Sequence, residues 1–162
     1  MKHWLLTFLT IGLLATACKK PATTDDCNYD PCAIKASATE IAQLENYLNS
    51  ANISGAVKHC SGMYYQVLSD GSGTTPGVCS VVTVNYKGTL TDGTVFDSTS
   101  TSPISFTLLL TIEGWKKGVP LIHKGGKIRL FIPPSLGYGS TAIGQIPANS
   151  ILIFDVELVD VQ

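Results

Sequence analysis

The chain has 162 residues and a formal net charge of −1 at pH 7, with 44% hydrophobic and 14% charged residues. That length fits one modest globular domain plus a leader. The charge gives no argument for nucleic-acid binding, and the clustered Lys and Arg that a phosphate-binding surface needs do not occur in the sequence. We interpret Lys116-Lys117 and the basic residues between Lys124 and Arg129 as solvated surface, and we expect no nucleic-acid partner.

Residues 1–17 have the layout of a secretory signal peptide. Met1-Lys2-His3 forms a short basic start, and Trp4 to Ala17 is almost wholly apolar. A helix over that apolar stretch rises about 21 Å, well short of the roughly 30 Å hydrocarbon core of a bilayer. We therefore predict a leader for export rather than a membrane-spanning helix.

The leader ends in Leu14-Ala15-Thr16-Ala17-Cys18, which resembles a bacterial lipobox, although Leu14 lies one place further from the cysteine than is usual. The resemblance implies that Cys18 becomes the lipidated first residue of the mature chain, anchored by acyl groups worth about 0.8 kcal/mol per buried CH₂. Lys19 favours the outer membrane, so we predict a lipoprotein of the bacterial cell envelope that faces the periplasm or the surface. Ordinary cleavage nearby, giving a soluble secreted protein, is the alternative.

Residues 18–36 are polar and rich in turn-forming residues, which predicts a lipidated flexible tether. Residues 37–59 predict a helical extension that opens with the capping-box pattern Ser37-Ala38-Thr39-Glu40. Apolar residues then recur at helical spacing, at Ile41, Leu44, Leu48 and Ala51. The helix could pack on the main domain or form a dimer contact, and we favour packing on the domain.

If Cys18 carries lipid, the cysteines that remain are Cys27, Cys32, Cys60 and Cys79. An even number in an exported chain predicts two disulfides, for which three pairings exist. One hypothesis closes a small tether loop with Cys27–Cys32 and braces the domain entrance with Cys60–Cys79. A zinc site that combines Cys27, Cys32 and Cys60 with His59 is the alternative, and the oxidising environment and poor ligand spacing disfavour it.

Residues 60–162 predict one domain in which strands and a short helix follow the order β-β-β-α-β-β. The predicted strands are Met63 to Leu68, Val81 to Tyr86, Thr94 to Asp97 with a continuation over Ile104 to Leu109, Lys127 to Ile132 and Ser150 to Val161. Glu113 to Val119 is typical of a short helix. Propensity alone therefore predicts an α+β domain with an antiparallel sheet.

This domain contains six short motifs, separated by definite spacings. They are Val84-Asn85-Tyr86-Lys87-Gly88, Asp92-Gly93-Thr94-Val95-Phe96-Asp97-Ser98, Gly114-Trp115-Lys116-Lys117-Gly118-Val119, Pro134-Ser135-Leu136-Gly137-Tyr138-Gly139, Ile146-Pro147 and Phe154-Asp155-Val156-Glu157-Leu158. In this order they resemble the FKBP family of peptidyl-prolyl cis-trans isomerases, from about Ser61 to Gln162. The resemblance implies a five-stranded antiparallel sheet half-wrapped around one short helix, here with an extra N-terminal helix.

The activity that this resemblance implies is faster rotation about X-Pro peptide bonds. Amide resonance makes the rotation slow, with a barrier of about 18–20 kcal/mol. A dry aromatic pocket lowers the barrier without a nucleophile if it binds the twisted amide better than the planar one, at about 1.4 kcal/mol for each tenfold of rate. We therefore expect no cofactor and no metal ion.

The family's catalytic roles carry over to Tyr86, Phe96, Asp97, Trp115 and Tyr138. Trp115 is expected on the pocket floor, Tyr86 in its wall and Phe96 against the proline ring. Asp97 is expected to be a partly buried carboxylate bonded to Tyr86, because a buried carboxylate without a partner is costly. Tyr138 is expected to donate to a substrate carbonyl. A plain core role for Trp115 and a turn or cap role for Asp97 are the alternatives.

The resemblance implies a further set of substrate-contacting residues, Ile104, Phe106, Thr111, Ile112, Ile146 and Phe154. The backbone N–H of Ile112 is expected to meet a substrate carbonyl. Two residues depart from the family pattern. Ile104 replaces a common aromatic residue, which opens the rim, and Thr111 replaces a common Val, which makes the rim more polar. Both departures bear on substrate preference and on affinity for macrolide ligands such as rapamycin more than on basic activity.

The combined prediction is an envelope-anchored isomerase that acts on proline-containing, unfolded or partly folded exported proteins. The alternative is an FKBP-fold chaperone or protein-binding module with little isomerase activity. A purely structural lipoprotein is a third hypothesis, and it predicts no binding of proline peptides. The presence of Trp115, Asp97 and Tyr138 favours the isomerase.

Overall fold

The computed structural model describes residues 27–162. The predicted signal peptide 1–17, the lipidation site Cys18 and the first part of the predicted tether therefore lie outside the described residues. Between residues 27 and 162, no helix combines the length and the apolar character that crossing a membrane would require.

The described chain folds as an α+β domain, as predicted. Its helices are α1 (Ala38–Ser50) and α2 (Glu113–Gly118), and its strands are β1 (Val57–Lys58), β2 (Tyr64–Ser69), β3 (Val81–Thr89), β4 (Val95–Ser98), β5 (Ile104–Thr107), β6 (Lys127–Ile132) and β7 (Leu152–Val161). Short 3₁₀ turns cover Leu108–Leu110, Val119–Leu121 and Pro134–Leu136.

All strands join one antiparallel, seven-stranded sheet in the order β1-β2-β6-β7-β3-β4, with β5 also paired to β3. Strand β4 pairs with Lys87–Thr89 and β5 pairs with Val81–Val84, so they are two pieces of one interrupted edge strand. That interruption was expected from the sequence. With β4 and β5 taken together, the five implied strands are present, and the two-residue β1 is added at the β2 edge.

Helix α2 lies against one face of the sheet because two glycines allow a close approach. A Cβ atom on Gly118 would lie 2.5 Å from the Leu130 side chain, and one on Gly114 would overlap the Ile132 side chain. Leu130 and Ile132 both belong to β6 and to the main core. The helix therefore sits closer to β6 than any larger residue at these positions would permit.

Helix α1 covers the opposite face of the same sheet. Leu44 and Leu48 are buried against Phe131 of β6 and Ile153 of β7, while the neighbouring residues of both strands point into the main core. Alternation along a strand places these two sets on opposite faces. The preference for packing of the helix on its own domain is thus confirmed.

The capping box that begins α1 is also present. The backbone N–H of Glu40 donates to Ser37 Oγ at 3.2 Å, and the Ser37 N–H donates to Glu40 Oε2 at 2.9 Å. These bonds satisfy amide groups that the first helical turn leaves without partners. The sequence pattern therefore located the helix start correctly.

The disulfides link Cys27 to Cys79 and Cys32 to Cys60, so the suggested pairing of neighbouring cysteines was wrong. The Cα atoms of the observed pairs lie 6.0 and 5.5 Å apart, within the range that a disulfide spans. Because the fold returns to the N-terminal segment at two points, pairing follows tertiary proximity rather than sequence proximity. The same bonds occupy the sulfur atoms that the zinc alternative required, so that alternative does not hold.

Residues 27–36 are joined to the domain rather than forming the end of a free tether. Both disulfides start in this segment. Ala36 is buried in the main core, and its N–H donates to the Ser61 carbonyl at 2.8 Å. The prediction of a flexible tether therefore fails over residues 27–36, because polar composition does not reveal the disulfides that hold them.

The interpretation of Lys116-Lys117 as solvated surface was wrong as well. Lys117 is only 2% exposed, and Lys116 is partly buried. Their ammonium groups lie 2.8 Å (Lys116) and 2.6 Å (Lys117) from carboxylate oxygens of Glu113. A short helix with glycines on one side turns the long lysine stems onto the protein, which a count of charges cannot show.

Candidate active site

A cavity of about 210 Å³ opens between α2, the β3–β4–β5 edge and the loop after β6. Its lining residues are Tyr86, Asp97, Phe106, Leu110, Thr111, Ile112, Trp115, Tyr138 and Phe154. Most of these side chains are aromatic or aliphatic, and the polar groups are two phenols, one hydroxyl, one carboxylate and the Trp115 indole N–H, which is buried without a hydrogen-bond partner among residues 27–162. Such a lining suits an apolar ring flanked by groups that hydrogen bond.

Trp115 forms the floor of this cavity. Its side chain is buried, and the indole meets Tyr86, Phe154 and Phe106 edge-on at centroid distances of 5.3, 5.4 and 5.6 Å. Edge-to-face contacts of this kind are favourable for aromatic pairs. Three rings from three different strands therefore fix the orientation of the indole.

Tyr86 and Asp97 form the hydrogen bond that the sequence analysis anticipated. The Tyr86 hydroxyl donates to Asp97 Oδ2 at 2.6 Å. Burial, the hydrogen bond to Asp97 and the Asp97 charge raise the pKa of Tyr86 above its usual range, so the phenol keeps its proton. Asp97 itself is exposed rather than partly buried, because β4 is a short strand at the sheet edge.

Tyr138 faces the cavity from the loop after the turn Pro134–Leu136. The Gly139 N–H donates to the Pro134 carbonyl at 2.8 Å, and Gly139 has φ +62°, a conformation that favours glycine. This turn places the half-buried Tyr138 ring at the cavity. Burial and the Asp97 charge raise the pKa of Tyr138, so its hydroxyl is a hydrogen-bond donor at neutral pH.

Thr111 and Ile112 close the cavity on the side of α2. Ile112 is the N-cap of α2 with extended backbone angles, and its carbonyl accepts from the Trp115 N–H at 3.0 Å. The Thr111 hydroxyl donates to the Leu108 carbonyl at 2.7 Å. The hydroxyl is therefore engaged with its own backbone turn, which moderates the polarity that this residue was expected to add to the rim.

Comparison with known proteins identifies the family. Residues 73–159 match the family model described as "FKBP-type peptidyl-prolyl cis-trans isomerase". The chain belongs to this family. Among curated relatives, FkpA of Escherichia coli strain K12 is 49% identical over 110 residues, which cover 67% of this chain and 41% of the relative. FkpA of Aeromonas hydrophila is 44% identical over 121 residues, covering 73% of this chain and 45% of the relative.

Solved structures agree with this assignment. The crystal structure of FkpA from Escherichia coli has a TM-score of 0.70 at 45% identity, covering 77% of this chain and 60% of that chain. A peptidyl-prolyl cis-trans isomerase from Pseudomonas syringae has a TM-score of 0.68 at 30% identity, covering 76% of this chain and 94% of that chain. This FKBP chain spans about half the length of the curated relatives it matches.

The FKBP cavity brings together most of the residues predicted from the motifs, but Phe96, Ile104 and Ile146 are not among its lining residues. Phe96 packs edge-on against Phe154 at 5.4 Å and so supports a wall residue. Ile104 is 45% exposed on the edge strand β5, and Ile146 is 6% exposed within the main core. Ile104 therefore lies outside the lining of the cavity, and the effect of its departure from the family pattern on the rim stays a prediction.

Leu110 lines the FKBP cavity and was not predicted. It is 83% exposed, and it ends the 3₁₀ turn Leu108–Leu110, of which Leu108 is fully buried. The run of leucines directly before Thr111 was a usable signal, since a turn cannot bury three consecutive side chains.

Within residues 27–162, no group of three or more His, Cys, Asp or Glu side chains is arranged to hold a metal ion.

Proposed function

We propose that this chain is a peptidyl-prolyl cis-trans isomerase whose active site is the cavity above Trp115. The observation that carries the proposal is the combination of a buried indole floor, three edge-on rings and two protonated phenols in a member of the FKBP family. A proline ring would lie on Trp115 among Tyr86, Phe106 and Phe154. Apolar walls around a rotating amide disfavour the polar, planar ground state relative to the twisted one.

In this proposal the polar groups hold the substrate around the rotating bond. The Tyr138 hydroxyl donates to one substrate carbonyl, and the Ile112 backbone N–H donates to another. Asp97 keeps the Tyr86 ring in place through their 2.6 Å hydrogen bond. Phe96 acts behind Phe154 in this account, and Ile104 and Ile146 contribute to the sheet edge and to packing. No step requires a nucleophile, a proton relay or a cofactor.

The proposed substrates are proline-containing, unfolded or partly folded proteins of the bacterial envelope. The apolar leader and two disulfides support export, because disulfides persist in oxidising compartments. We also propose lipidation at Cys18 and an outer-membrane anchor, supported by the lipobox-like residues before it. The family resemblance supports a macrolide ligand in the same cavity, where it would compete with substrate.

The test measures how much the oxidised chain accelerates cis-to-trans conversion of an X-Pro peptide. We expect acceleration by the wild-type chain and a loss of roughly three- to tenfold in kcat/KM for Tyr138→Phe, the value of one neutral hydrogen bond. Tyr64→Phe is the matched control, because the Tyr64 hydroxyl bonds Glu45 on the opposite sheet face. A folded wild-type chain that leaves the peptide at its uncatalysed rate would refute the isomerase, and suppression of aggregation by that chain would support the chaperone alternative.

A further inference from the structure

A buried polar cluster lies beneath the active site on the far side of α2. The Lys117 ammonium is fully buried, 2.6 Å from Glu113 Oε2 and 2.5 Å from the Tyr29 hydroxyl oxygen. The Tyr29 hydroxyl in turn donates to Glu113 Oε2 at 2.8 Å. The ammonium also lies 4.9 Å from the centre of the Tyr29 ring, within the range of a cation–π contact.

These contacts depend on one another. A buried ammonium needs charged and polar partners, since loss of water is otherwise uncompensated. Glu113 supplies the counter-charge, and hydrogen bonds from Lys116, Lys117 and Tyr29 outweigh the effect of its own burial and lower its pKa to about 2. Tyr29 accepts from Lys117 and donates to Glu113, so its hydroxyl fixes the angle between them. The cluster therefore has one favoured arrangement rather than several.

Tyr29 belongs to the N-terminal segment, outside the residues 73–159 that match the family model. Two disulfides hold the segment on either side of it, from Cys27 to Cys79 just before β3 and from Cys32 to Cys60 just before β2. The ring is thereby held against α2 from two anchors. The segment therefore adds to the FKBP domain a contact between Tyr29 and the buried Lys117 of α2.

Glu113 lies two residues before Trp115 and Lys117 two residues after it in α2, and Glu113 directly follows Ile112. The helix has only six residues, so any rotation of the Glu113–Lys117 side turns the indole and the Ile112 N–H with it. We propose that Tyr29 is a positioning residue that sets the orientation of α2, and with it the floor of the cavity. This inference rests on the proposed isomerase function.

The test replaces Tyr29 by Phe, which removes the hydroxyl and keeps the ring over Lys117. It uses the full oxidised chain carrying Trp4→Phe, so that Trp115 is the single tryptophan of the two in the sequence. We expect a shifted Trp115 emission, easier acrylamide quenching and a fall in kcat/KM on the order of tenfold, as for a slightly misplaced binding surface. Tyr64→Phe is the control and should change none of these.

A second variant keeps the inference testable if Tyr29→Phe does not fold. Glu113→Gln with Lys117→Met removes both charges at similar volume, which proteins often tolerate, and deprives the Tyr29 hydroxyl of its charged partners. The same change in Trp115 emission and activity is expected. A Tyr29→Phe chain that is only less stable, with unchanged Trp115 emission and activity while folded, would overturn the positioning role. Wild-type inactivity would instead refute the proposed function, and the Trp115 emission would still decide this inference.

Discussion

At the scale of single residues, the charge of Asp97 gives the two phenols of the cavity different tasks. Tyr86 donates to Asp97 at 2.6 Å and is held in the wall. Tyr138 interacts with the same carboxylate through its charge and not through a hydrogen bond. Burial and that charge raise the pKa of the Tyr138 phenol. Its hydroxyl therefore remains protonated for a ligand carbonyl. An uncharged residue at position 97 would release Tyr86 and weaken the bias that keeps both phenols neutral.

Glu113 makes the stability of the protein sensitive to acid. Burial alone would raise its pKa, but hydrogen bonds from Lys116, Lys117 and Tyr29 lower it from 4.5 to about 2. A carboxyl with a lowered folded-state pKa stabilises the fold above its unfolded pKa, and that contribution is lost as the pH falls towards the folded value. We therefore expect the free energy of unfolding to decrease between about pH 5 and about pH 2.

Urea denaturation over this pH range measures the effect. Glu113→Gln should be less stable at neutral pH, by about 3–5 kcal/mol, because Lys117 then lies buried without a counter-charge. It should also lose much of the slope, since one of the titrating groups is gone. An unchanged pH dependence in Glu113→Gln would show that other carboxylates carry the acid sensitivity.

At the scale of elements, β3 positions the cavity wall through a glycine. A Cβ atom at Gly88 would lie 2.6 Å from Phe96 and 2.9 Å from Phe154. Gly88→Ala should therefore push both rings away and lower the free energy of unfolding by about 1–3 kcal/mol, as overpacking does. Isomerase activity should fall with it, because Phe154 lines the cavity. Gly77→Ala is the control, since a Cβ there has open space; equal stability of the two variants would contradict the prediction.

The capping box of α1 also joins this helix to the loop that carries Tyr138. Besides its bonds with Ser37, the Glu40 carboxylate accepts from the Ser135 N–H at 2.8 Å and from Ser135 Oγ at 3.0 Å. Glu40→Ala should cost about 1–2 kcal/mol through the lost cap, and it should lower activity by loosening the loop. Thermal unfolding and peptide isomerisation measure the two effects. Gln43→Ala, at an exposed position of the same helix, should change neither.

How far the sequence predicts these elements depends on whether their signals are local. Adjacent residues, from Ser37 to Glu40, predict the start of α1. The interruption between β4 and β5 is likewise predicted by the local sequence. The place of Ile104 depends on the register of β5 against β3, and the burial of Lys117 depends on Tyr29, far away in the chain. Neither is visible in local propensity. The family motifs predicted that Trp115 forms the cavity floor, because members of a family share the strand pairing that a single sequence does not reveal.

At the scale of the whole molecule, the N-terminal segment is a structural part of the domain. It covers one sheet face with α1 and meets α2 on the other through Tyr29. Composition predicted a tether over residues 18–36, ahead of the predicted helix, because the Pro, Asp and Thr residues there resist regular structure. The two disulfides supply by covalent bonds the constraint that such a composition cannot obtain from a hydrophobic core.

The disulfides should therefore carry a large share of the stability. Their half-cystines lie 52 and 28 residues apart in the sequence, separations for which loop closure predicts about 4 kcal/mol each. The loops overlap, so both disulfides together should stabilise the protein by less than the sum of their separate contributions. We expect Cys27→Ser with Cys79→Ser, and Cys32→Ser with Cys60→Ser, each to lower the free energy of unfolding by about 2–4 kcal/mol.

Urea denaturation of each double variant, beside the reduced wild-type chain, measures this loss. A segment that is only a tether would unfold independently, and removing its disulfides would leave the main transition in place. A segment that is part of the domain shares one cooperative transition with the sheet, so the same removals shift the whole curve. In chains that carry Trp4→Phe, tryptophan emission reports the main transition, since Trp115 is a residue of α2 that is buried in the main core. The midpoint of this transition should move to lower urea concentration in both variants, because each disulfide closes a loop that contains α1 and at least one strand of the sheet.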